Sequence, residues 1–140
     1  MAVLSIRFKN EENYERLRWC AAERDESISG FGERLIDEGL RMVAHPGIVF
    51  RDGPSGRRAG LAAGPDVWEV VALLRSLPGV REKKLETAAR HLGLTEGQVR
   101  VASRYYAEFP AEINAEIALN EQIADRELAL WEAERRLLSE

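Results

Sequence analysis

The chain has 140 residues, a formal net charge of −4 and 45% hydrophobic residues. That is enough for one ordinary domain or two very small ones, and too apolar for wholesale disorder. A single cysteine, Cys20, excludes an internal disulfide and points to a reducing cytoplasm, while the absence of a run of about 18 apolar residues excludes a membrane-spanning helix. The amino-terminal apolar stretch is interrupted by Ser5 and Arg7 and is too short for a signal peptide. Charge is spread unevenly. Residues 1–44 carry 7 Lys/Arg against 9 Asp/Glu, residues 45–109 carry 10 against 7, and residues 110–140 carry 3 against 8. A mildly basic middle and an acidic tail point to different partners for different segments.

Residues 1–8 alternate, with Leu4, Ile6 and Phe8 on one face and Val3, Ser5 and Arg7 on the other. A period of two predicts a strand. A terminal strand cannot satisfy its own backbone, and no nearby segment supplies a partner, so the same strand of a second copy is the simplest one. Asn10 is placed to cap a helix whose first turn holds Glu11 and Glu12 and whose apolar stripe is Tyr14, Leu17 and Ala21, with Cys20 beside it. Trp19 lies off that stripe. The helix is expected to stop near Asp25. Ser27 or Ser29 then caps a second helix with Phe31, Leu35, Ile36, Leu40 and Val43 as its apolar face, weakened by Gly32 and Gly39.

His45-Pro46-Gly47 reads as a break between modules. Ile48–Phe50 and Arg57–Leu61 flank a turn cluster and predict a hairpin. Pro65 and Asp66 start a helix whose face is Val67, Val70, Val71 and Leu74, ended by Leu77-Pro78-Gly79. In the stretch from Leu85 to Val99, Ala89 is small where two helices would cross. Gly93 permits a left-handed turn, Thr95 and Gln98 form a capping box, and Val99 packs back on Ala89. This spacing is that of a helix-turn-helix. Gln98, Arg100 and Arg104 face outward on its second helix, and Lys84 and Arg90 are placed for phosphates. Glu96 at the tip opposes phosphate, and Val101, Tyr105 and Tyr106 make the helix apolar on several sides, so a purely structural role competes with DNA reading.

Pro110 opens a long helical pattern with two stripes, one containing Ile113, Ile117, Ala124, Leu128 and Trp131, the other Leu119, Ile123, Leu130, Leu137 and Leu138. Together they exceed what one side of a small domain needs, which suits a partner's groove, a dimer arm, or a helix folded back on the middle segment. The distal half is expected to gain its order from packing.

The strand, helix, serine-containing turn and helix over residues 1–44 resemble the ribbon-helix-helix repressors and antitoxins. The resemblance is carried by Leu4-Ser5-Ile6-Arg7-Phe8, Leu17 with Ala21, and Ser27-Ile28-Ser29 with Ile36 and Leu40. It implies a homodimer, or a higher oligomer, whose intermolecular two-stranded ribbon enters the major groove of operator DNA. Val3, Ser5 and Arg7 would face bases, and the amides around Ser29 and Gly30 would hold a phosphate. Val3 departs from the usual polar residue and would touch only a thymine methyl.

The strings His45-Pro46-Gly47-Ile48, Gly56-Arg57-Arg58, Asp66–Val71, Tyr105-Tyr106 and Pro110–Ile113 resemble an antitoxin-associated domain of the VapB type, over residues 45 to about 120. The stretch from Ala59 to Pro65 lacks the Gly-Thr-Arg motif common there. The resemblance implies a PIN-like ribonuclease toxin as partner, with carboxylates around a divalent metal as the target of an inhibitory arginine. Ile117, Arg126, Leu128, Trp131, Arg135 and Arg136 are the expected toxin-facing residues, with the choice among the three arginines open.

The expected fold is therefore mainly α: a ribbon-helix-helix module (1–44), a hairpin with a helix-turn-helix-like bundle (45–109), and a carboxy-terminal helical arm (110–140). The two histidines and one cysteine form no catalytic or zinc-like constellation, so no enzyme activity, cofactor or metal is expected. The expected function is that of a cytoplasmic, dimeric, DNA-binding antitoxin. A stand-alone dimeric repressor is the nearest alternative, and an oligomerising adaptor is a third.

Overall fold

A computed structural model describes residues 1–140 as six helices and one two-stranded sheet, in two compact units, Met1–Val43 and Ala44–Glu140. No helix is long and apolar enough to cross a membrane.

In the first unit, residues 1–8 adopt neither helix nor strand and are exposed along their length. The alternation expected of a strand has no strand of the same chain beside it, because the chain's one sheet lies at residues 48–61. Helix α1 (Glu11–Glu23) begins where its cap requires: Asn10 Oδ1 accepts the Glu12 N–H at 3.0 Å. It ends through a left-handed residue, Asp25 at φ 53°, with the Glu26 N–H donating to the Ala21 carbonyl at 2.9 Å. Helix α2 (Ile28–Ala44) starts after Ser27, whose Oγ accepts the Gly30 N–H at 2.9 Å, so Ser27 rather than Ser29 is its cap. Phe31 is buried, with the Arg24 and Arg34 guanidinium groups over its ring at 5.4 and 5.1 Å. Ala21, Phe31 and Glu38 are the unit's only buried side chains, and Leu35, Ile36, Leu40 and Val43 on α2 remain exposed.

The second unit has a continuous core. Strands β1 (Ile48–Gly53) and β2 (Gly56–Leu61) pair antiparallel from Ile48↔Leu61 to Gly53↔Gly56, joined by Pro54-Ser55, with Gly56 at φ 105°. The hairpin is longer than its apolar residues predict, because Arg51, Asp52 and Gly53 continue the pairing opposite Arg58, Arg57 and Gly56. Arg51 crosses the sheet over Gly60, where a Cβ would collide with its guanidinium. It donates to the Leu61 and Gly64 carbonyls, each at 3.1 Å, and to Asp66 Oδ1 at 3.0 Å. Arg58 pairs with the other oxygen of Asp66. The buried Asp66 thus ties the hairpin to the start of α3 (Val67–Ser76), and Glu69 accepts the Asp66 N–H at 2.9 Å.

Helix α4 (Arg81–Leu92) ends at Gly93, left-handed at φ 67°, and the Leu94 N–H donates to the Ala89 carbonyl at 2.9 Å. Helix α5 (Glu96–Glu108) starts with the expected reciprocal cap, Gln98 N–H to Thr95 Oγ1 at 3.1 Å and Thr95 N–H to Gln98 Oε1 at 2.9 Å. Val67, Val70, Ala88, Val99, Ala102, Tyr105 and Ile113 are fully enclosed in the core formed by α3, α4, α5 and the root of α6 (Pro110–Ser139). Only Phe109 separates α5 from α6.

The expected separation of a middle segment from a carboxy-terminal one meets a continuous core here: Ile113 and Ile117 belong to it, while every residue from Glu121 onward is exposed. Helix α6 nevertheless continues through Ser139.

Glu116 faces the inner side of α6's root and one of its carboxylate oxygens is buried without a hydrogen-bond partner. Burial, then repulsion from Glu112 and Asp66, pushes its carboxyl from 4.5 up to about 7, against an opposing pull from Arg58. The folded unit therefore holds this proton where the unfolded chain has lost it. The stabilisation is present at low pH and is lost as pH rises from 4.5 through about 7. Glu116→Gln is expected to match the parent at pH 5 and exceed it by about 1 kcal/mol at pH 8, a figure reduced for the carboxyl's partial exposure to water. Thermal denaturation at the two pH values measures this; equal stability of parent and variant at pH 8 would contradict it.

Candidate nucleic-acid and partner interfaces

Three surfaces carry the residues singled out in the sequence. The first is the amino-terminal unit. Val3, Ser5 and Arg7 are all exposed, as are Leu4 and Ile6 on the opposite alternation. Phe8 turns back so that its ring meets Tyr14 edge-on at 5.6 Å. Ile6 and Phe8, with Leu17 and Cys20 of α1 and Phe31 and Leu35 of α2, line an almost wholly apolar groove of about 450 Å³. Ser29 is exposed in the first turn of α2. The expectation for Gly30 needs correction: its N–H is already held by Ser27 Oγ, so this amide is engaged in the helix cap rather than presented to a phosphate.

The second surface is a groove of about 790 Å³ between α3, α4 and α5. Arg75, Arg81, Lys84, Arg100 and Arg104 line it, and no carboxylate does. Arg100 and Arg104 stand one turn apart on α5 and are exposed. Arg75 is fixed at one wall. Its guanidinium stacks on the Tyr106 ring at 5.2 Å and donates to the Tyr106 hydroxyl and to Asn114 Oδ1, while that hydroxyl donates to the same Asn114 oxygen at 3.0 Å. The structure therefore brings together Lys84, Arg100 and Arg104 from the sequence reading. It adds Arg75 and Arg81, which periodicity alone does not single out because their convergence depends on how three helices pack.

The third surface is the outer part of α6. Leu128 and Trp131 are half exposed, and Arg126, Arg135 and Arg136 are exposed. The Arg135 guanidinium lies over the Trp131 ring at 5.1 Å. Ile117 is corrected: at 7% exposure it packs in the core of its own unit, because the apolar stripe of α6 turns inward over its first two turns. It has no surface to offer a partner.

His45, expected as part of a module break and of the VapB-type string, is buried. Its Nε2 lies 2.7 Å from Glu108 Oε2, and its ring meets Tyr105 and Phe109 edge-on at 5.3 and 6.0 Å. A His-Pro-Gly string carries no periodic signal that could have disclosed this. No group of His, Cys, Asp and Glu side chains is arranged to hold a metal ion.

Comparison with protein-family models, curated proteins and solved structures returns no match.

Proposed function

We propose that the chain is a dimeric DNA-binding antitoxin, with residues 1–43 forming the operator-binding module and the outer part of α6 holding a PIN-like ribonuclease toxin. One observation carries the reading. The amino-terminal unit buries only Ala21, Phe31 and Glu38, while Leu4, Ile6, Leu35, Ile36, Leu40 and Val43 remain in water. A segment of about 40 residues rarely folds without a staple or a partner copy. An unpaired, alternating leading segment beside an uncovered helix face is the arrangement that a second copy completes. Pairing of the two leading segments places two sets of Val3, Ser5 and Arg7 on one side of the ribbon. Arg7 supplies the bidentate guanine contact in this reading, and Ser29, in the first turn of α2, supports the adjacent phosphate.

The toxin half rests on the exposed acidic arm that bears Leu128, Trp131 and three arginines. Arg126, Arg135 and Arg136 are the candidates for entering a carboxylate-lined metal site.

Arg7→Ala is expected to weaken specific operator binding by about 1–3 kcal/mol. A gel-shift titration against the upstream region of the gene measures it, repeated at two salt concentrations because phosphate contacts make affinity fall steeply with salt. Unchanged affinity removes Arg7 from the interface. Isolation of the native complex and mass identification of its components separates an antitoxin, which brings a nuclease with it, from a stand-alone repressor, which does not.

A further inference from the structure

The cationic groove between α3, α4 and α5 has an apolar floor. Val71 and Leu85 are buried there, and Leu74 and Tyr106 are partly covered. A nucleic-acid backbone offers phosphates without an apolar stripe. An acidic amphipathic helix offers both, and the chain carries one. At 3.6 residues per turn, Ala124, Leu128 and Trp131 share one stripe of α6, and Leu138, grouped by the sequence pattern with the other stripe, falls on this side too. Arg135 lies within the stripe with its guanidinium over the Trp131 ring, and Glu121 and Glu132 along one edge with Glu127 and Glu134 along the other leave the surface acidic. All nine side chains are exposed.

We propose that this groove receives the acidic stripe of α6 from a second copy of the chain. The apolar side chains would cover the floor, and the flanking carboxylates would meet the arginines and lysine at the rims. A chain's own arm cannot fill its own groove. Helix α6 passes the groove's lip at Asn114, which is bonded to Tyr106, and then runs on without a break to Ser139. Residues 121–138 therefore lie about 10–36 Å beyond that lip. A two-fold axis between copies makes the exchange reciprocal, each arm entering the other's groove. Leu128 and Trp131 are also the residues that the proposed function gives to the toxin, so this contact belongs to the toxin-free protein and the toxin would displace it; the test uses the protein without toxin.

Full-length proteins carrying Cys20→Ser are prepared in separate forms. One has Ser103→Cys in the groove, others have Ala124→Cys or Leu128→Cys on the stripe, and a control has Ala133→Cys on the opposite side of α6. The groove protein is mixed with each arm protein and equilibrated with oxidised glutathione. Mixed disulfides from at least one stripe position are expected at roughly ten-fold or more above the Ala133→Cys control. They are expected to fall towards that control when the groove protein also carries Arg100→Glu and Arg104→Glu, and to recover when the arm protein carries Glu127→Arg and Glu134→Arg. Equal cross-linking from both sides of the arm, or none from either, overturns the proposal. So does cross-linking unaffected by the groove substitutions; if those substitutions abolish duplex-DNA binding instead, the groove is a nucleic-acid surface.

Discussion

Tyr105→Ala is expected to destabilise the Ala44–Glu140 unit by about 3–5 kcal/mol, the range for removing a large aromatic side chain from a packed core. The side chain is fully buried, and its ring meets His45, Phe50 and Phe109 at centroid distances of 5.3, 6.4 and 4.8 Å. Its hydroxyl donates to Glu112 Oε2 at 2.6 Å. One residue thereby joins the hairpin, the segment before it, the end of α5 and the root of α6. Truncation leaves a cavity among all four and removes the hydrogen bond to Glu112. Tyr105→Phe keeps the volume and loses only the hydroxyl, so its cost should be about 1–2 kcal/mol. Urea denaturation followed by circular dichroism distinguishes the two. A cost under about 1 kcal/mol for Tyr105→Ala would show that the core closes over the gap.

On the proposed antitoxin function, a chain ending at Leu119 is expected to lose nuclease neutralisation entirely while keeping its fold and any operator affinity of residues 1–43. The physical ground is the burial profile of α6. Ile113 and Ile117 are retained, and every residue from Glu121 onward is exposed. Removing the outer part therefore uncovers no core of its own chain, and the stability of the single chain, measured at concentrations too low for exchange between copies, should change by no more than about 0.5 kcal/mol. Thermal denaturation and gel shift establish the two unchanged properties. Growth of cells co-expressing the PIN-like nuclease proposed as partner measures the lost one. Survival with the shortened chain would move the toxin-binding surface elsewhere.

Much of the local architecture is legible in the amino-acid order because it depends on neighbours along the chain. Asn10, Ser27 and the Thr95–Gln98 pair announce helix starts through side chains that reach backbone groups two or three residues on. Gly93 announces a helix end because its left-handed backbone strains other residues. What escapes such reading depends on distance along the chain. The Asp66 pairing with Arg51 and Arg58 spans 15 and 8 residues, and the His45–Glu108 contact spans 63. Charged residues at those positions look like ordinary solvated side chains until the hairpin and helices are packed.

The candidate surfaces divide along the same line. Arg100 and Arg104 share a face by helical spacing alone, but their convergence with Arg75 and Arg81 is a product of tertiary packing. Ile117 shows the opposite failure. It shares a stripe with Leu128 and Trp131, yet only its end of the stripe is covered. Periodicity identifies an apolar face without saying how far along that face the domain reaches.

The single-residue junction at Phe109 has a mechanical consequence. With no linker between α5 and α6, the outer helix is a lever whose fulcrum is the aromatic contact of Phe109 with Tyr105 and His45. Its last turn stands about 45 Å from Phe109, so a pivot of only about 10° at the fulcrum displaces the tip by about 8 Å. Substitutions at that aromatic hinge should therefore alter what the tip can reach while leaving every residue at the tip unchanged.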